Sequence, residues 1–185
     1  FFLAIFIGRM DPRIGLIGGF ALQMVSGVWL MHFDLNVDMQ TLMLNSLVQG
    51  IAIGVIWVPL TLVTFSTVSS ANLAEGTAVY HLLRNIGSSF FISVCVTEIV
   101  RATGANYSRM IELLNPYNRV LALPWVTGAW NTETLSGLAT ISREITRQSA
   151  MLGYINAFGF YTAASAMAIP LILLVGRRVK AKAAA

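Results

Sequence analysis

Long apolar runs separated by polar segments dominate the chain. A bilayer hydrocarbon core about 30 Å thick requires roughly 20 residues of α-helix, because each residue rises about 1.5 Å. Four runs reach that length, and the opening residues have the composition of the end of a fifth run. The pattern predicts transmembrane helices at 14–31, 41–67, 74–100 and 150–175, and the end of another at 1–7.

Polar connections of unequal length separate these runs. Most are short, but the connection before the last run is long enough to hold a domain outside the membrane. Pro116, Pro124 and several glycines limit any helix in that connection to one or two short ones. The predicted connections are 8–13, 32–40, 68–73 and 101–149, with a tail at 176–185.

Basic residues in the short connections predict the orientation. Arg9 and Arg13 precede the first complete run, and four basic residues follow the last one. An even number of crossings places both groups on one side, and the positive-inside rule makes that side cytoplasmic. The sequence therefore predicts that 8–13, 68–73 and 176–185 are cytoplasmic and that 32–40 and 101–149 are external.

Five polar residues follow helical spacing within the third complete run. At about 100° per residue they share one face of a helix, and the central residue, Arg84, lies roughly 15 Å into the membrane. An unpaired guanidinium in lipid is costly, so this face should meet other helices or water. Two interpretations stay open, a structural hydrogen-bond network between helices and the lining of a transport pathway. The face consists of Thr77, His81, Arg84, Asn85 and Ser88.

Other candidate residues lie on the same helix and on the one before it. Glu98 could carry a proton or could simply be solvated by lipid headgroups. Gly50 and Gly54 have the spacing that lets membrane helices approach closely, and Pro59 is expected to bend the helix. Such a discontinuity suits a helix that moves or lines a cavity, although ordinary packing explains it equally well.

Composition narrows the function. Hydrophobic residues make up 56% of the chain and charged residues 11%, whereas a soluble domain carries about 25% charged residues. Cys95 is the single cysteine and lies in an apolar run, so no metal site is expected. No phosphate-binding loop or catalytic triad is present, and the net charge of +4 reflects topology rather than nucleic-acid binding. A solute transporter and a membrane scaffold subunit remain, and an enzyme is not expected.

The order of the motifs adds a family resemblance. The segments are "GRMDPRIGLIGG", "QGIAIGVIWVPLTLVTFSTVSSANLAEGTAVYHLLRNIGSSF", "LNPYNRVLALPW" and a final "GRR". Together they resemble the C-terminal part of the fourteen-helix drug:proton antiporters of the major facilitator superfamily, most closely the EmrB/QacA type. The resemblance implies an all-α polytopic membrane helix bundle that forms part of the C-terminal six-helix half of that fold, the remainder preceding Phe1.

The first cytoplasmic loop matches the family motif only in part. Arg9, Asp11 and Arg13 stand at matching positions. Ala4 and Gly8 occupy the places of the glycine and the acidic residue that the family usually has. The departure weakens the expected role of this loop as a charged latch, and an ordinary solvated loop is an equal interpretation.

The resemblance also implies an activity and partners. It implies proton-driven export of hydrophobic or amphipathic compounds across a bacterial inner membrane by alternating access, with protons as the coupling ion and no other cofactor. It further implies a periplasmic adaptor protein, contacting residues 101–149, and through it an outer-membrane channel. Transport of another solute, such as a fatty acid or a siderophore, and a purely scaffolding subunit are the alternatives.

Overall fold

This computed structural model describes residues 12–66, 68–115, 118, 119, 123 and 130–183. Along 175–183 it describes the course of the helix but not the side chains. Four long helices account for most of these ranges. No strand occurs in these ranges. Each helix contains a stretch long and apolar enough to cross a membrane. The prediction of an all-α, multi-pass membrane protein is therefore confirmed. The helices are α1 (Pro12–Met31), α2 (Met39–Phe65), α3 (Leu73–Glu112) and α4 (Leu135–Ala183).

The local sequence explains how the first three helices begin. α1 starts on Pro12, whose fixed φ and missing N–H suit the first helical position. In the turn before α2, the carboxylate of Asp34 accepts a hydrogen bond from the Asn36 amide at 2.9 Å. The Asp38 carbonyl then accepts the Leu42 amide at 3.1 Å, which closes the first turn of α2. A 3-10 turn, Ser70–Asn72, leads into α3.

Two helices continue beyond the apolar runs that predicted them. α3 runs past Val100 to Glu112, and α4 begins at Leu135 rather than near residue 150. Hydropathy locates membrane depth, whereas a helix also continues through polar residues of good helix propensity. Both flanks of 101–149 are consequently helical, and its external position stays a prediction. The predicted segment 1–7 lies outside the described residues.

The chain divides into two compact units, Phe1–Ile92 with Phe158–Ala185, and Ser93–Ala157. In the first unit, α1 packs closely on α2 and on α4 through glycines. A Cβ on Gly19 would lie 2.5 Å from Ile56 Cγ1, and one on Gly27 would collide with Thr162 Oγ1. Small residues at these two positions therefore permit the close backbone approach typical of membrane helices.

The second unit is held by a ridge of every fourth residue along α4. A Cβ on Gly153 would lie 2.8 Å from the Ile99 carbonyl oxygen of α3, so the helices are closest there. Spacing by four builds one of the surface ridges that pack into the grooves of a neighbouring helix. The buried ridge consists of Ile141, Ile145, Ser149, Gly153 and Ala157.

Candidate functional site

The polar residues of α3 lie on an uninterrupted helix, since α3 runs from Leu73 to Glu112. They therefore share one face, as their spacing requires. Four of them are exposed in this chain and Thr77 is half-buried. We call this set the polar face of α3, and it consists of Thr77, His81, Arg84, Asn85 and Ser88.

The opposite side of α3 is apolar and equally open. Its large side chains are 55% to 72% exposed, which is unusual for hydrophobic residues unless lipid or another protein covers them. At about 100° per residue, this side points almost directly away from the polar face. We call it the apolar face of α3, and it consists of Val79, Leu82, Leu83, Ile86 and Phe90.

A third side of α3, between these two faces, contacts the neighbouring helices of the first unit. The rings of Tyr80 and Phe65 meet edge to face with centroids 5.5 Å apart. Phe91 stacks on Phe160 of α4, also at 5.5 Å. We call this third side, with Tyr80 and Phe91, the seam of α3. The polar and apolar faces lie on opposite sides of it, so each face can meet different surroundings.

Arg84 reaches this seam from the polar face. Its guanidinium carbon lies 4.2 Å from the ring centroid of Trp57 on α2, within the range of a cation–π contact. The planar group keeps its five N–H donors at its edge, where water, a carboxylate or a solute can accept them.

The other polar residues bond within their own helix. Thr77 Oγ1 donates to the Leu73 carbonyl at 2.7 Å, and Ser88 Oγ donates to the Asn85 carbonyl at 3.0 Å. The His81 ring lies edge-on to Tyr80. Among the described residues, no hydrogen bond joins the polar face to another helix. Both interpretations of the polar face, a structural network between helices and the lining of a transport pathway, therefore stay predictions.

The remaining predicted residues are placed elsewhere. Glu98 is half-buried and belongs to the second unit. A Cβ on Gly50 or Gly54 would have no neighbour within 4 Å, so neither glycine marks a close helix contact among the residues that the structure describes. Pro59 is buried in α2, which continues through it, and its bending role stays a prediction.

The structure describes only the end of the predicted cytoplasmic loop motif. Arg13 lies in the first turn of α1 rather than in a loop, because the helix begins at Pro12. Arg9 and Asp11 lie outside the described residues.

A second polar group was not singled out from the sequence. Uncharged residues of α1, α2 and α4 meet in the first unit, two of them buried and three half-buried, and we call them the buried amide layer. Their signal was present as polar residues three or four apart within apolar runs, but without a charge they resemble ordinary substitutions. The layer consists of Gln23, Ser26, Asn45, Gln49 and Tyr161.

A comparison with known proteins bears on the family. Over 162 residues, which are 82% of the chain, the sequence is 25% identical to the multidrug export protein EmrB of Haemophilus influenzae. The chain is similar to a multidrug export protein. The matched part is 31% of EmrB, so the chain spans about a third of that relative. No family model and no solved structure matches the chain.

The similarity to EmrB supports the resemblance deduced from the motifs at a coarser level. It indicates a relationship to EmrB-like transporters, in agreement with the four membrane-spanning helices. The arrangement of fourteen helices and the place of this chain within them stay predictions.

Proposed function

We propose that this chain is part of a multidrug efflux transporter that exports hydrophobic or amphipathic compounds and that the polar face of α3 lines its transport pathway. The observation that carries the proposal is the division of α3 into a polar and an apolar face at membrane depth. The similarity to EmrB supports the same class of function.

The free energy of membrane insertion favours this division. An arginine at the centre of a membrane helix costs about 2.5–3.5 kcal/mol on insertion scales, so Arg84 should face water or protein rather than lipid. The apolar face opposite provides a surface that lipid can cover without such a cost. A helix with both faces suits the wall between a hydrated cavity and the bilayer.

The proposed transport cycle uses protons as the coupling ion and no other cofactor. Proton entry drives the alternating exposure of the cavity to the two sides of a bacterial inner membrane. Glu98 is a candidate carboxylate for this coupling. Residues 101–149 are a candidate contact for a periplasmic adaptor, which would connect the transporter to an outer-membrane channel.

The test replaces Arg84 in the intact protein. In inverted membrane vesicles with an imposed proton gradient, Arg84→Ala should reduce the efflux rate of a hydrophobic fluorescent dye at least tenfold at equal protein abundance. Leu83→Ala is the matched control, because Leu83 is exposed on the apolar face one residue away. Undiminished dye efflux by Arg84→Ala would remove this residue from the pathway.

One observation favours a second candidate function, a scaffold that does not transport. The stacking of Arg84 on Trp57 joins α3 to α2 and could serve assembly alone. In that case Arg84→Ala would lower the abundance of the complex and leave transport per molecule unchanged. The vesicle assay separates the two functions when efflux is normalised to protein abundance.

A further inference from the structure

The buried amide layer joins three helices of the first unit. Ser26 and Asn45 are 0% and 2% exposed. Ser26 Oγ donates to Asn45 Oδ1, and Asn45 Nδ2 donates to the Ser26 carbonyl oxygen, both at 3.1 Å. The side-chain amide of Asn45 thus bonds both the hydroxyl and the main-chain carbonyl of Ser26, and the pair ties α1 to α2.

One turn further along α2, the layer reaches α4. Gln49 Nε2 donates to the Tyr161 hydroxyl oxygen at 3.0 Å. A phenol can accept one hydrogen bond and donate another, so Tyr161 keeps its hydroxyl hydrogen for a second acceptor. No described residue accepts that hydrogen in this arrangement.

Gln23 has an unused acceptor, whereas Tyr161 has an unused donor. The Oε1 atom of Gln23 is enclosed by protein and has no hydrogen-bond partner within the described part of the chain. Because the atom is enclosed, solvent does not reach it as the side chains now stand. Buried carbonyl groups are almost always paired, and membrane-embedded ones have no bulk water as a substitute.

The register of α1 and α2 shows which turn of α2 lies beside Gln23. Ser26 meets Asn45, and a Cβ on Gly19 would lie against Ala52 and Ile56, so α1 and α2 run antiparallel. Counting along the two helices from these contacts places Gln23 opposite 48–52, the turn of α2 that contains Gln49, since one helix advances as the other recedes.

Tyr161 also packs against α1 at this level. A Cβ on Gly27, one turn from Gln23, would lie 3.1 Å from Tyr161 Cδ1. Gln23 has three rotatable side-chain bonds, so a small shift of α1 against α4 can bring its carbonyl to the Tyr161 hydroxyl. Gln23, with its unused acceptor, thus lies about one helical turn along α1 from the residue that Tyr161 packs against.

We propose that the buried amide layer is a two-state latch. In the arrangement seen here, Gln49 bonds Tyr161 and Gln23 is unpaired. In the second arrangement, Tyr161 keeps the Gln49 bond and donates its hydroxyl hydrogen to Gln23 Oε1. The latch rests on the proposed function for its role, because alternating access is the movement that the two arrangements would serve.

The test measures the two arrangements directly in the intact protein, without transport. Spin labels are attached at Val28→Cys on α1 and Met167→Cys on α4, both exposed positions, after Cys95 and any other native cysteine are replaced. Pulsed electron paramagnetic resonance should resolve two distances between the labels. Gln23→Met keeps the shape of the side chain but removes its carbonyl, so it should destabilise the second arrangement. The ratio of the arrangement seen here to the second arrangement should rise roughly fivefold, which corresponds to the loss of one neutral hydrogen bond.

Two further variants sharpen the test. Tyr161→Phe removes the hydroxyl that donates the same hydrogen bond, so it should shift the populations in the same direction. If Gln23→Met does not fold, Tyr161→Phe tests the proposal by itself. The double variant should shift them no further than a single one, because both remove the same bond. Gln40→Met is the matched control, since Gln40 is exposed in the first turn of α2, and it should leave the ratio unchanged.

Clear outcomes overturn the latch. A single distance in the unsubstituted protein, or an unchanged ratio in Gln23→Met, contradicts it, and so do additive shifts in the double variant. If the intact protein exports nothing yet shows both populations, the proposed function fails and the latch stands.

Discussion

The polar face of α3 and the buried amide layer place polar groups at membrane depth in opposite ways. In the buried amide layer the groups are uncharged and bond across helices, as Ser26 and Asn45 do. On the polar face the groups include a cation, and the hydroxyls of Thr77 and Ser88 bond only within α3. The first pattern fastens helices together, whereas the second leaves hydrogen-bonding capacity for something outside the chain.

The glycines repeat this contrast between joined and open surfaces. Gly19 and Gly27 lie where helices touch, so that an added methyl group would collide with a neighbour. Gly50 and Gly54 face open space within the described part of the chain. Spacing alone therefore does not distinguish a glycine that enables packing from one on an unpaired surface.

The largest predicted effect tests whether the two faces of α3 meet different surroundings. Leu83→Asp on the apolar face should cost about 2.5–3.5 kcal/mol in membrane insertion, because the carboxylate would face lipid. Ser88→Asp on the polar face should cost much less, since Ser88 lies one turn from Arg84 and the opposite charges attract. Glycosylation mapping of inserted helices measures both. Equal losses for the two variants would contradict the division of α3.

The sequence predicted the crossings and the polar face of α3 because both depend on local spacing. Hydropathy over about 20 residues locates membrane helices, and helical periodicity places Arg84 beside Asn85 and Ser88 on one face. Neither depends on which helices are neighbours, so each could be deduced from one segment at a time.

The buried amide layer depends on neighbours and was therefore overlooked. Gln49 acquires its role only through Tyr161, which is 112 positions away in the sequence. The same limit applies to Gly19 and Gly27, whose close contacts with other helices depend on neighbours that their own segment does not reveal. The continuation of α3 to Glu112 and the beginning of α4 at Leu135 were not predicted, because hydropathy locates apolar stretches whereas a helix also continues through polar residues.

Substituting the glycines distinguishes the joined surface from the open one. Gly27→Ala should lower the free energy of unfolding by about 1–3 kcal/mol, because the methyl group overpacks against Thr162 and Tyr161. Gly50→Ala should be neutral or stabilising by up to about 1 kcal/mol, since alanine favours helix and nothing lies in its way. Thermal unfolding in detergent compares the two. A loss in Gly50→Ala as large as that in Gly27→Ala would show that Gly50 is also packed in the intact protein.

A double-mutant cycle tests the paired part of the buried amide layer. Ser26→Ala and Asn45→Leu should show a coupling free energy of about 0.6–1.7 kcal/mol, the range measured for hydrogen bonds between membrane helices. Ser46→Ala serves as the control for serine, because Ser46 is exposed and its hydroxyl bonds the Leu42 carbonyl of its own helix. Unfolding of the single and double variants in detergent gives the coupling. Strictly additive losses would mean that the reciprocal bonds contribute nothing to stability.

The smallest predicted effect concerns the contact of Arg84 with Trp57, which links the polar face to a neighbouring helix. Trp57→Leu removes the ring beneath the Arg84 guanidinium and should lower the free energy of unfolding by about 0.5–1 kcal/mol beyond the loss of packing area, as for exposed cation–π contacts. Comparison with Trp57→Leu in an Arg84→Leu background isolates the contribution of the pair. If Arg84 mainly serves transport, Trp57→Leu should leave most dye efflux intact while Arg84→Ala removes it. If both variants instead lose stability and efflux in parallel, Arg84 acts with Trp57 as a fastening between α2 and α3, and the polar face then resembles the buried amide layer in kind.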